Sequence, residues 1–360
     1  MAVVKFGDIV RDVKINVDRT SNPYEHYVAG DHMDSEDLTL HRYGNFATDD
    51  VGPAFTRIFK PEQVLYGSRR TYLKKIVVAN FEGICANTTF VLESKDDSLF
   101  DNRLLPFIML SDAFTRWSIA HSKGSTNPYV LFSDLADYEF DLPPIAEQRV
   151  IADKLWAAYR LKESYKKLLS ATDEMVKSRF IEMFGTIDEP KVEVKKLIDV
   201  VLSSGKYGSN TSATDYQEGK PRYIRITDIN DDGSLNDDMK TAEVIEDKYK
   251  LIPGDIVFAR TGATVGKTYM HETGNAIYAG YLIKYQMDEL KMKPAFMKAF
   301  THSKTYYNWV ANTQKVGAQP NISATQYDNM PVLVPQIEKQ EEFLNIYYQA
   351  DKSKYYYQIA

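Results

Sequence analysis

Residues 143–185 read PPIAEQRVIADKLWAAYRLKESYKKLLSATDEMVKSRFIEMFG, and after Ile145 they hold no proline and no glycine before Gly185. Apolar or small side chains recur at Leu155, Ala158, Leu161, Tyr165, Leu168, Thr172 and Met175. Steps of three and four of this kind predict a coiled-coil seam, narrower than the apolar face of a core helix. Pro144 suits the first turn of such a helix and Gly185 its end. At 1.5 Å per residue, a helix over residues 145–184 would be ~60 Å long. A rod of that length in mid-chain is expected to hold two things apart.

The two things emerge when the chain is compared with itself. Pro143-Pro144-Ile145-Ala146-Glu147-Gln148 returns 192 positions later as Pro335-Gln336-Ile337-Glu338-Lys339-Gln340. Pro61-Glu62-Gln63-Val64-Leu65-Tyr66 returns at the same offset as Pro253-Gly254-Asp255-Ile256-Val257-Phe258, and Lys75 and Lys267 close the matching segments. Further out, Lys5 to Val10 resembles Lys196 to Val201, and Tyr27-Val28 resembles Tyr223-Ile224. Matches in one order, at an offset that drifts by only a few residues as loop insertions would cause, mean a tandem duplication of a globular unit followed by a helix. The expected division is a first unit over residues 1–142, a helical spacer over 143–186, a second unit over 187–334 and a distal helix over 335–360.

Composition sets the class. The chain has 360 residues, 44% apolar and 26% charged, as for an ordinary globular protein with more than one domain. No run of 18 apolar residues suggests a membrane span, and MAVVKFGDIVRD lacks the apolar core of a signal peptide. Cys85 is the single cysteine, which excludes intrachain disulfides and Cys-rich metal sites. A cytoplasmic location is expected.

Each unit mixes short strands and helices without regular alternation, which predicts an α+β fold. In the first, Val64-Leu65-Tyr66 and Ile76-Val77-Val78 read as strands joined by the turn Gly67 to Arg70. Arg103 to Ile119 reads as one helix. In the second, strands are expected at Tyr223 to Ile226, which contains Arg225, and at Ile256 to Phe258. The distal helix offers a second seam at Phe343, Ile346, Ala350, Ser353 and Tyr357.

Catalytic motifs fail on spacing. Gly262 to Thr268 imitates a phosphate loop, but three residues stand between Gly262 and Gly266-Lys267-Thr268 where four are required. Asn22-Pro23-Tyr24 and Asn127-Pro128-Tyr129 lack the second proline of an amino-methyltransferase motif and read as turns. The six histidines show no metal-ligand spacing. No catalytic residue and no metal ligand is assigned.

A net charge of −6 opposes phosphate binding on average, yet Arg57, Lys60, Arg69, Arg70, Lys74 and Lys75 crowd a short stretch with Glu62 as its one acid. Arg69, Arg70, Tyr72, Lys74 and Lys75 stand opposite Thr261, Gly262, Thr264, Gly266 and Lys267, with Arg260 opposite Ser68. A turn carrying arginine beside Tyr or Thr is suited to base edges, and lysine to phosphates. Two polar loops, Gly124-Ser125-Thr126-Asn127 and Gly317 to Ile322, also correspond, and Gln319 and Asn321 have the groups to pair with adenine. The candidate DNA contacts are therefore Arg69, Arg70, Tyr72, Lys74, Lys75, Ser125 and Asn127, and in the second unit Arg225, Arg260, Thr261, Thr264, Lys267, Gln319 and Asn321.

At these residues the chain resembles the specificity subunit of Type I restriction–modification systems. The likeness lies in Pro143 to Gln148 opening a helix that ends in Ser178 to Gly185, in Gly254 to Gly262 with Val265-Gly266-Lys267, and in Gln319-Pro320-Asn321-Ile322. The resemblance implies two target recognition domains, each reading half of a bipartite site in double-stranded DNA, separated by helices packed as an antiparallel coiled coil. It implies two modification subunits that supply S-adenosylmethionine-dependent methylation, and restriction subunits that use ATP and Mg. Docking is expected on Ile151, Leu155, Leu161, Leu168, Met175, Phe180 and Phe184, and on Phe343 and Ile346. The chain itself is expected to bind no cofactor and to catalyse nothing. The distal helix stops short of a counterpart to Arg179–Gly185, so either an incomplete docking surface on that side or a truncated chain is expected. The competing readings are a scaffold that binds no DNA and a nucleotide hydrolase built on Gly262 to Thr268.

Overall fold

The computed structural model describes residues 2–18, 21–314 and 320–359, the last nine of these as backbone only. Contacts divide the chain into two compact units, 1–164 and 165–360. The boundary falls inside the central helix Ile145–Phe184. Each half of that helix thus belongs to a unit, whereas the sequence suggested a spacer set apart from both.

The first unit is built on a four-stranded antiparallel sheet in the order Val10–Asp12, Thr89–Ser94, Val64–Gly67, Ile76–Val78. The second repeats it as Lys206–Tyr207, Leu282–Gln286, Asp255–Ala259, Thr268–Met270. A parallel pair recurs too, His26–Val28 with Gly83–Ala86 and Arg222–Ile224 with Ala276–Tyr278. An antiparallel ribbon then closes each unit just before its long helix: Ala2–Lys5 with Glu139–Leu142, and Glu193–Lys196 with Pro331–Val334. The duplication extends to the strand order of the main sheet, whereas the parallel pair belongs to a four-stranded sheet in the first unit and stands as a two-stranded one in the second; the content is α+β.

Arg103 to Ile119 is not one helix. Leu105–Leu110 ends at Ser111, whose extended backbone breaks the helix and whose hydroxyl accepts from the Phe114 N–H at 3.2 Å to start Asp112–Ala120. Ser303 performs the same capping for Lys304–Thr313, accepting from Tyr306 N–H at 3.3 Å. The apolar period alone runs through such a break, because a cap changes direction without changing the pattern of burial.

The repeated Pro-x-Ile-x-x-Gln motif owes its shape to the glutamine. The Gln148 amide donates to Leu99 O at 2.9 Å and Pro143 O at 2.8 Å, and accepts from Asp101 N–H at 2.9 Å. Gln340 makes the same three bonds, to Lys291 O at 2.9 Å, Pro335 O at 2.8 Å and from Lys293 N–H at 2.9 Å. Both side chains are buried. Each amide fastens the start of a long helix to the loop before the helical layer of its unit.

The predicted seam of the central helix lies largely in solvent. Ala158, Leu161, Leu168 and Met175 are exposed and Leu155, Tyr165 and Thr172 half-buried; Ile151, expected as a docking residue, is exposed too. The covered stripe shares Leu155 with that seam and otherwise runs through Ala152, Trp156 and Tyr159 in the first unit and Val176, Phe180, Met183 and Phe184 in the second. Steps of three and four define several parallel stripes on one helix. The stripe that is covered is the one carrying large aromatic groups, which bury the most area. In the distal helix, Phe343 and Ala350 are buried and Ile346 half-buried, as the second seam required, while the side chains of Ser353 and Tyr357 lie outside the described residues. Phe343 packs on Phe180 and Phe184, with ring centroids 5.3 and 5.7 Å away.

Candidate nucleic-acid interface

In each unit a hairpin connection is bonded to a second, distant loop. The connection 68–75 joins Val64–Gly67 to Ile76–Val78 through a helical turn at Thr71–Leu73, longer than the four-residue turn expected. Its Arg70 N–H donates to Pro128 O at 2.7 Å, and Val130 N–H donates to Ser68 O at 3.0 Å. Arg69 is bridged to Tyr129, and Tyr129 exchanges two backbone bonds with Lys123, leaving Ser125 and Asn127 exposed at the tip.

The second unit makes the same bonds. Gly262 N–H donates to Pro320 O at 3.1 Å, Ile322 N–H to Arg260 O at 2.8 Å, and Thr261 is bridged to Asn321. This register sets Asn321 opposite Tyr129 and Ile322 opposite Val130. Gln319, with Gly317 and Ala318, lies outside the described residues.

Backbone conformation repeats as well. Arg70 (φ 50°) and Lys74 (φ 47°) are left-handed, and their counterparts are Gly262 (φ 72°) and Gly266 (φ 87°). Glycine is at ease there, whereas an L side chain costs ~1–2 kcal/mol. The glycines that imitated a phosphate loop answer to this backbone geometry.

The side chains diverge. Arg69, Arg70 and Tyr72 are exposed, the Arg69 guanidinium sits 6.0 Å from the Tyr129 ring, and neither arginine forms an ion pair among the described residues. Two free guanidiniums on a bonded turn can each present two parallel donors to a planar acceptor pair. Arg260 is half-buried, lies 4.8 Å over the Tyr207 ring and donates to Asn321 Oδ1 at 3.1 Å. Thr261 is buried and donates to Pro320 O at 3.3 Å, and Thr264 donates to Thr261 O at 3.3 Å.

The other basic candidates are engaged inside the fold. Lys75 Nζ donates to Gly30 O at 2.6 Å and stands 4.0 Å from Asp31; Lys267 Nζ pairs with Asp231 at 2.8 Å and lies 3.3 Å from Ile229 O. Both tie the hairpin to the loop that follows the parallel strand. Lys74 pairs with Glu36 at 2.8 Å and Asp112 at 3.4 Å, and the Glu36 bond holds its ammonium above the ordinary pKa. Arg225 is clamped by buried Asp228 at 2.6 Å and by Asp238 at 3.0 Å, and Arg225 in turn holds Asp238 below the usual carboxylate range. Arg57 is buried against Asp12 at 2.7 Å. Of the basic run in the sequence, Arg69, Arg70 and Lys60 remain exposed, and only the two arginines lie on the hairpin connection.

Among the described residues, Asp37, His41 and Glu163 could hold a metal, their ligand atoms lying within 4.8 Å of one another. Asp37 already accepts from Tyr159 OH at 2.6 Å and stands 3.4 Å from His41. Spacing in sequence did not reveal this group, because Glu163 reaches it from the central helix. Sequence reading saw Tyr129 only as part of an Asn-Pro turn and missed Tyr207 altogether; both stand out by the arginines they face.

A family model for the Type I restriction modification DNA specificity domain matches residues 39–170 and 189–354, one copy on each unit. The chain belongs to that family. This specificity-domain chain is similar to the EcoDI specificity subunit of Escherichia coli, 26% identical over 161 residues, covering 45% of this chain and 34% of the relative. It is similar to the EcoKI specificity subunit of E. coli K12, 25% identical over 262 residues, covering 64% of this chain and 56% of the relative. The matches thus span from a third to just over half the length of these relatives. Its fold is shared with the Type I S subunit from M. genitalium, at a TM-score of 0.57 and 14% identity, over 99% of this chain and 91% of that one. It is shared too with a chain from a study of complex assembly and conformational transition in the type I R-M system, at a TM-score of 0.53 and 18% identity, over 98% and 91%. No described helix of the specificity-domain chain is long and apolar enough to cross a membrane.

Proposed function

We propose that this chain is the sequence-reading, non-catalytic subunit of a cytoplasmic Type I restriction–modification assembly, its first unit reading one half of a bipartite duplex site and its second the other. The observation that carries this is the repeated loop pair, in which one main-chain scaffold presents different side chains. A scaffold kept while its exposed groups diverge suits two readers of different sequences, since base edges are told apart by side chains and not by backbone. Arg69 and Arg70, beside Tyr72 and Tyr129, suit guanine contacts in the major groove.

The helices would pack antiparallel and serve as the platform for two modification subunits carrying S-adenosylmethionine. Exposed apolar groups available for this on the central helix include Ile151, Leu161, Leu168 and Met175, with Val150 and Ile181, whereas Phe180 and Phe184 are buried in their own unit. Restriction subunits using ATP and Mg would join that assembly.

The test is selection. The chain, assembled with its modification subunits, is used to capture duplexes from a randomised pool, and the bound fraction is sequenced. Two short conserved blocks separated by a fixed unread gap are expected. One continuous block, or no preference at all, overturns the proposal.

A further inference from the structure

Arg260 and Asn321 were both candidate base readers, but their geometry divides the work between them. Arginine is a donor only, so its contact at 3.1 Å identifies the Asn321 atom facing it as the amide oxygen. That oxygen keeps a second lone pair, and the NH₂ group on the other side keeps its donors. One acceptor and one donor on a single planar edge are what adenine N6 and N7 require.

Arg260 is poorly placed to read anything itself. Its guanidinium is stacked over Tyr207 at 4.8 Å, one nitrogen is engaged by Asn321, and Nε is buried without a hydrogen-bond partner. Its carbonyl also accepts from Ile322 N–H at 2.8 Å, so Asn321 is held from both sides of the loop pair. The first unit differs at the same positions, with Ser68 for Arg260 and Tyr129 for Asn321.

We propose that Arg260, held by Tyr207, is a positioning residue that sets the amide of Asn321 to read an adenine in the half-site of the second unit. The inference rests on the DNA-reading role proposed above.

The test uses the assembled complex and the same randomised duplex pool. Asn321→Ala should lower preference for adenine at one position of one half-site by about 5- to 140-fold, which is ~1–3 kcal/mol at 1.4 kcal/mol per tenfold. Arg260→Ala should weaken preference at that same position, and the double variant should lose no more than Asn321→Ala alone. Tyr207→Leu should do the same to a lesser degree. Relaxation at a different, guanine-bearing position in Arg260→Ala overturns the inference, because Arg260 would then be a reader. Loss of the whole half-site together with a lowered Tm overturns it as well, since the residue would then only support the loop. An unchanged profile in Asn321→Ala overturns it. If the wild-type complex selects no sequence at all, the DNA-reading role itself falls.

Discussion

The loop pair of the first unit and the loop pair of the second make the same backbone bonds and share almost no exposed chemistry. Arg70 and Lys74 occupy left-handed positions that Gly262 and Gly266 fill in the second unit. Arg69 reaches solvent over Tyr129, whereas Arg260 is folded back on Tyr207 and Asn321. Holding an arginine at a position where glycine is preferred has an energetic cost, and such strain is typical of functional sites. The difference teaches that the duplicated element is the main-chain scaffold, and that each copy carries its own set of side chains on it.

The long helices sharpen the contrast. Phe343 of the distal helix is buried on Phe180 and Phe184, but its counterpart in the central helix, Ile151, is exposed. The largest effect is therefore expected from Phe343→Ala, at ~3–5 kcal/mol, while Ile151→Ala should stay within ~0.5 kcal/mol. Hydrogen exchange read on peptides of each unit should show loss of protection in the second unit for the first variant and none for the other. Equal costs would break the comparison.

Gln148→Ala and Gln340→Ala probe where the copies agree. Each removes a buried amide and leaves two carbonyls and one N–H without that partner, so each should cost ~1–3 kcal/mol in its own unit, again by hydrogen exchange. A large difference between them would show that the two helix anchors are not equivalent.

Next, Arg69→Ala should lose ~1–3 kcal/mol of preference at one position of the first unit's half-site and leave the other half-site untouched, as read by selection and sequencing. Arg70→Gly separates strain from reading. Relief of the left-handed conformation should raise the stability of the first unit by up to ~1–2 kcal/mol while binding to its half-site weakens. A variant that is less stable, or one that reads as before, removes Arg70 from the interface.

The smallest effects belong to the paired lysines. Because Lys75 and Lys267 are tied to carbonyls and aspartates of their own units, replacing either by Ala should cost no more than ~1 kcal/mol of stability and leave the salt dependence of DNA binding unchanged. A decrease of about one in that slope would place them on phosphates after all.

The sequence by itself established the duplication, the two long helices and the failure of each enzymatic motif. These are matters of local period, of spacing and of self-comparison, and they survive without knowledge of packing. It also marked the hairpin at Ser68 to Lys75 and its partner at Arg260 to Lys267 as the places where the copies diverge. Only the tertiary structure decided which stripe of the central helix is covered. Leu161, Leu168 and Met175 have the right spacing, yet Tyr159 and Phe180 are the residues that meet a core. Only the tertiary structure joined residues 68–70 to 128–130 and 260–262 to 320–322, and paired Lys74, Lys75, Lys267 and Arg225 with carboxylates of their own units. Helical period is written in neighbouring residues because a helix bonds to itself. The partner of a charge or the cover of an apolar face comes from residues distant in the chain, and a single sequence does not state which of them arrive.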